Sequence, residues 1–293
     1  MQTPQRIPPR KAEIGDGMAV ARTLPSRLQR TIGAWCFLDH AGPATFAPGQ
    51  GLRVGPHPHI GLQTFTWMLE GQVLHRDSLG HVQMIRPGQV NLMTSGHGIS
   101  HTEESAPGET HLHTAQLWIA LPEELSHMEP DFQHYPELPR WRQGGLEQTL
   151  LVGDWLGYTS PVEIHSPLLG VDLLAQQDVA LRLPLERDFE YGLMPLTGPA
   201  KVNGEALDAD ELLYLPPGQD SLQLQLPAGT RALLIGGEPL PSTPTIWWNF
   251  VGYSREAIAQ AQQDWESANG RFGQVDGFDG PPLVAPRVPW AVR

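Results

Sequence analysis

The sequence predicts an all-β protein of two β-barrel domains in tandem, closed by one C-terminal helix. Three observations carry this reading. Glycine (31) and proline (29) together make up about a fifth of the 293 residues, where an average domain carries roughly 12 %. They fall between short apolar runs, as turns do between strands. The length exceeds what one small core usually covers. Finally, Gly198–Leu226 repeats in weaker form the strand, turn, strand, Pro-Gly and strand pattern of Leu69–Met93. Internal similarity on this scale is what two copies of one barrel produce.

Taken in order, Ala34–His40 (AWCFLDH) reads as a strand, followed by a Gly/Pro-rich loop through Gly51. Leu62–Gly71 (LQTFTWMLEG) is a strand running into a turn, and the segment around Arg86-Pro87-Gly88 holds two more. A glycine turn at Gly96 to Gly98 precedes His101, and Leu112–Leu121 is an apolar run that pairs with an earlier strand. Between Pro122 and Gly145 charged residues, prolines and histidines replace the apolar period. A connection this long usually links units, so the expected domains are residues 1–135 and 146–293. Near the end, Ser254 is a good N-cap, and Ile258, Ala261, Trp265 and Ala268 follow at helical spacing until Asn269-Gly270 stops the helix.

The formal charge of −13 excludes a direct nucleic-acid partner, which would need a basic face. The one cysteine, Cys36, has no intramolecular disulfide partner, and the N-terminal stretch has no signal-peptide core. No run approaches the roughly 18 apolar residues that span a bilayer. The expectation is a cytoplasmic protein with no membrane association.

Histidine placement is the most informative feature, since no histidine follows His165. His57 and His59 stand two apart, as do His101 and Glu103. On a strand, residues i and i+2 share a face, so each pair can aim both heads into a barrel. Two such strands facing each other bring three imidazoles and a carboxylate to one point, a set suited to a divalent transition metal. Pro58 within the first pair makes that stretch a strand start or an edge. Either motif alone is a weak signal; together, across a β-rich segment, they predict one ion held by His57, His59, His101 and Glu103.

The stretches GLRVGPHPHIGLQTFTWMLEGQVLHRDSLG, IRPGQVNLMTSGHGISHTE and LHTAQLWIALP resemble the metal-binding half of the pirin family, within the cupin superfamily. GGEPL, NFVGYSREAIAQAQQDW and RFG are similar to the pirin tail, so the resemblance covers nearly the whole chain. It implies two cupin-type jelly-roll barrels, the second degenerate, and iron as the resident metal. Nickel, manganese, copper or zinc also fit three nitrogens and one oxygen. The glutamate ligand of the usual first cupin motif is replaced here by Gln63; in pirins the acidic ligand comes from the second motif, here Glu103. The Gln63 change bears on the hydrogen bonds that orient ligands.

Around the site, His75 reads as a solvated strand residue and Asp77 as a turn residue. His97 lies near the barrel mouth, and His113 and Gln116 stand on a strand able to line the cavity. His111, His127, His134 and His165 read as surface groups. Phe37, Phe46, Phe65, Trp67 and Trp118 read as core, and Cys36 as a buried small hydrophobe.

Two functions remain open. The resemblance implies a quercetin 2,3-dioxygenase, an oxidoreductase that opens a flat aromatic flavonol with O2, with Glu103 as catalytic base as well as ligand. The other is a metal- or redox-dependent regulatory protein that binds a protein partner without turnover.

Overall fold

The computed structural model describes residues 3–290 of the 293. Strands dominate it, with one α-helix, Arg255–Glu266, and one short 3-10 turn among the described residues. That helix is too short to cross a membrane. Two compact units emerge, and neither is a continuous piece of chain.

The metal-binding unit comprises Ala12–Val20, Ala41–Pro136 and the segment from Ser242 onward. One of its sheets orders the strands Arg53–His59, Ile99–Ser105, Val73–Asp77 and Val82–Ile85. In the other, Asp131–Tyr135, Val90–Thr94, Leu62–Glu70 and His111–Ala120 are neighbours in that order. The architecture is a jelly-roll sandwich, with Val54, Met68, Val73 and Leu112 buried in one core cluster. Two expectations change here. The 122–145 stretch is not a bare linker, because Asp131–Tyr135 pairs with Val90–Thr94 and Arg140–Gln143 pairs with Leu146–Val152. The terminal segment, assigned by sequence to the second domain, groups with the first unit. Its apolar face supplies the reason: Phe250, Ile258, Ala261 and Phe272 bury themselves with Ile60. Hydrogen bonds fix the position, Val251 N donating to Ile60 O at 3.1 Å and Tyr253 OH to Leu121 O at 2.8 Å.

The helix starts as its sequence predicts, with Ser254 Oγ accepting from Ala257 N at 3.1 Å. It stops earlier, at Glu266. Ala268 N bonds Trp265 O and Asn269 N bonds Asp264 O, which together form a Schellman closure. That closure places Ala268 at φ +49.

The second unit, taken by itself, is built from the segment ending at Lys11, Ala21–His40 and Glu137–Pro241. Its larger sheet orders Gln5–Ile7, Leu212–Leu215, Glu190–Thr197, Arg231–Gly237, Leu168–Ala175, Leu146–Val152 and Arg140–Gln143. The smaller sheet holds Val179–Pro184, Ser221–Leu226, Ala200–Val202 and Glu205–Leu207. The repeat seen in the sequence is real at the turns: Gly88 and Gly218, each after a proline, have φ of +85 and +103. Between the sheets lie leucines and valines such as Leu150, Val171, Leu193, Leu224 and Leu234. That core is mostly aliphatic, and no histidine of the sequence follows His165. Cys36 is fully buried, as expected.

Candidate metal centre

His57 and His59 sit on Arg53–His59, the edge strand that Pro58 requires. His101 lies on the adjacent antiparallel strand, directly opposite His57. The two strands are hydrogen-bonded neighbours, not members of facing sheets. Between the pairs His101↔His57 and Glu103↔Val54 the register slips, with Gly55 and Pro56 absorbing an extra residue. Opposite Val73–Asp77 the His101 strand is regular, with His101 across from Asp77 and Glu103 from His75. Hence His75, Asp77, His101 and Glu103 share one face.

The three imidazoles converge, each offering a ligand atom within 4.8 Å of the others. Each ring has its Nδ1 engaged. His57 Nδ1 lies 2.8 Å from Gly55 O, His59 Nδ1 3.1 Å from Asn249 O, and His101 Nδ1 3.3 Å from His75 Nδ1. A carbonyl can only accept, so His57 and His59 carry their protons on Nδ1 and present bare Nε2 lone pairs. Burial, first of all, lowers the basicity of all three: His57 falls to about 4, and His59 and His101 fall well below the usual imidazole range. Repulsion from the neighbouring rings adds to the effect at His59 and His101. The rings are therefore neutral, the state in which they ligate. His59 Nε2 and His101 Nε2 stand 3.0 Å apart. Metal–nitrogen bonds of about 2.1 Å at a right angle span about 3.0 Å, whereas a tetrahedral angle needs about 3.4 Å. The separation is one that two imidazoles bound to a single divalent transition metal can span.

Glu103 is not among the groups whose ligand atoms lie within 4.8 Å of one another. Its side chain reaches toward the other sheet, to a hydrogen bond with Thr66, which opposes a dominant burial effect that pushes its carboxyl up to about 7. The same Thr66 Oγ1 lies 2.8 Å from Gln116 Oε1. Gln116, expected to line the cavity, thus connects to the site through Thr66. Trp118, read from sequence as core, packs edge-on to His59 at 5.3 Å.

Other expectations change. Gln63 alternates with Thr64 and Thr66 and so points to the opposite face of its strand, where its Nε2 donates to Thr94 Oγ1 at 3.0 Å. That bond goes to Thr94 and not to a histidine of the site. His97 turns outward to Glu129 at 3.2 Å, while its carbonyl receives Arg271. His75 and Asp77 are not a solvated strand residue and a simple turn residue; both are buried. Which way residue 75 points depends on its register with His101, a non-local fact absent from the local pattern. The signal available was the i, i+2 spacing of His75 and Asp77, the same spacing as the two ligand pairs.

The chain is similar to known proteins along nearly its whole length. Residues 17–119 match the Pirin family and residues 170–273 the Pirin C-terminal cupin domain. A Pseudomonas aeruginosa protein with the provisional name quercetin 2,3-dioxygenase is 58% identical over 98% of this chain and 91% of its own. A pirin-like protein of Caulobacter vibrioides is 36% identical over 94% of this chain and 96% of its own. The crystal structure of a quercetin 2,3-dioxygenase from Acinetobacter baumannii superposes with a TM-score of 0.97 at 54% identity, covering 99% of this chain and 97% of that one.

Proposed function

The chain belongs to the pirin family, and on that premise we propose that it is a metal-dependent dioxygenase that opens a flavonol such as quercetin with O2. The observation that carries the reading is the convergence of three neutral imidazoles whose Nδ1 atoms are already engaged. The names borne by relatives at 54% and 58% identity support the substrate class. His57, His59 and His101 hold the ion, with Glu103 as the fourth ligand, reached by rotation of its side chain from Thr66. Iron is the ion that the family membership favours; when bound it supplies Lewis-acid stabilisation of a substrate oxyanion.

The chain's own groups do the rest. Glu103 is the carboxylate that shares a face with His101 and serves as the general base. It takes the proton of the flavonol 3-hydroxyl once its side chain has turned from Thr66 toward the ion. Trp118 offers an aromatic edge beside His59, suited to a flat apolar ring. A cytoplasmic setting accords with the buried, solitary Cys36.

The test is oxygen uptake by iron(II)-loaded protein with quercetin. Wild type should consume O2, and Glu103→Gln should retain iron while losing roughly 10²–10⁴-fold in rate, the usual contribution of a general base. Uptake at background in both sinks the enzyme and leaves metal-dependent binding of a protein partner.

A further inference from the structure

The three ligating rings are not backed alike. His57 and His59 rest on backbone carbonyls. His101 rests on His75, whose Nε2 lies 3.0 Å from Asp77 Oδ2. We propose that Asp77 and His75 are positioning residues that fix the tautomer of His101 and, through it, set the affinity and reduction potential of the bound ion. The inference rests on the metal-centre reading above and assigns a role that the ligand set alone does not contain.

Proton bookkeeping permits one arrangement. To ligate through Nε2, His101 must carry its proton on Nδ1 and donate it to His75 Nδ1. His75 then holds its own proton on Nε2 and donates it to the Asp77 carboxylate. The carboxylate is pinned in turn: Oδ1 accepts from Leu79 N at 2.9 Å and His81 N at 3.1 Å, and the His81 ring stands 3.1 Å from both oxygens. The His75 ring is clamped flat against Phe132, 4.3 Å between centroids and 15° between planes. Asp77, His75 and Phe132 are all supplied by the metal-binding unit, and burial of His75 and Asp77 keeps water from substituting for either partner. A carboxylate behind a ligating imidazole raises its basicity. Here the effect passes through one more ring, and only one ligand of the three receives it.

Asp77→Asn tests the direction of the chain. The single oxygen of asparagine is claimed by Leu79 N and His81 N, so its NH2 faces His75 Nε2. That reverses His75, placing a proton on its Nδ1 against the Nδ1 proton of His101. His75→Phe keeps the stack on Phe132 but leaves His101 Nδ1 with no acceptor there. Metal-free protein is titrated with nickel(II) against a competing chelator, and the midpoint potential of the iron-loaded protein is measured. Both variants should bind nickel 10–100-fold more weakly, the usual effect of losing such a partner. The potential should rise, about 59 mV for each tenfold loss of preference for ferric ion.

If wild type takes up no ion, the metal-centre reading fails and the relay with it. If wild type binds one ion, and a variant with wild-type circular dichroism binds equally tightly at the same potential, the relay alone is overturned. A loss of affinity with no change in potential also overturns it, since a merely structural role predicts that pattern. So does failure of both variants to fold, because a positioning pair leaves the apolar sandwich standing.

Discussion

Replacing Glu103 with Gln in metal-free protein should stabilise it at pH 8 and leave it unchanged at pH 4. In the folded chain burial pushes this carboxyl up to about 7, against 4.5 for the unperturbed group. A folded pKa above the unfolded one means that the folded state binds the proton more tightly. The group's contribution is therefore fully present below 4.5 and is lost as pH rises through 7. The difference, about 2.5 in pKa at roughly 1.36 kcal/mol for each whole step, sets a ceiling of about 3 kcal/mol. The residue as a whole is half-buried, and screening lowers the expected loss to about 1–2 kcal/mol. Glutamine has no proton to lose, so the variant escapes this loss. Thermal unfolding of chelator-treated wild type and variant across pH 4 to 8 reads the gap directly. It should open between 4.5 and 7 and reach a few degrees, at about 2 °C per kcal/mol for a chain of this size. A gap that is constant with pH, or that favours wild type at pH 8, refutes the buried neutral carboxyl. With an ion bound the ordering should reverse, because the cation favours the carboxylate.

Two backbone substitutions should move stability in opposite directions. Gly61→Ala places a Cβ 2.2 Å from Val251 O at a φ of +66; it should cost roughly 2 kcal/mol or more and weaken nickel(II) binding by loosening the tail beside His59, and an unchanged melting temperature counts against it. Ala268→Gly relieves the left-handed residue that closes the helix and should add about 1 kcal/mol, seen as a rise of about 2 °C on melting; a fall would show that the methyl group packs usefully.

Much of this molecule could be read before its coordinates. The two i, i+2 pairs located His57, His59 and His101, because strand alternation is a local rule that needs only the residue types and their spacing. The N-terminus of the helix was legible for the same reason, since Ser254 caps a residue three positions away. What escaped was non-local. Whether Glu103 meets the histidines or Thr66 depends on side-chain rotation across two sheets. Gln63 stands at the position of a cupin ligand, yet it points to the far face, a fact fixed by register and not by motif. The 122–145 stretch lacked an apolar period because Asp131–Tyr135 is a half-exposed edge strand, and its one consequential side chain, Phe132, is recognisable only by what it stacks against.

The hydrogen bond from His59 to Asn249 O spans 190 positions of sequence, and this governs when the centre can mature. A ribosome releases His57, His59 and His101 early, along with the strands that carry them. The carbonyl that engages His59 Nδ1 emerges 190 residues after the ring itself. At roughly 5–20 residues per second the interval is about 10–40 s. For most of it the nascent chain displays all three histidines with one ring unlocked. Any product ending before Asn249 would keep every imidazole of the site yet lack the contact that orients one of them.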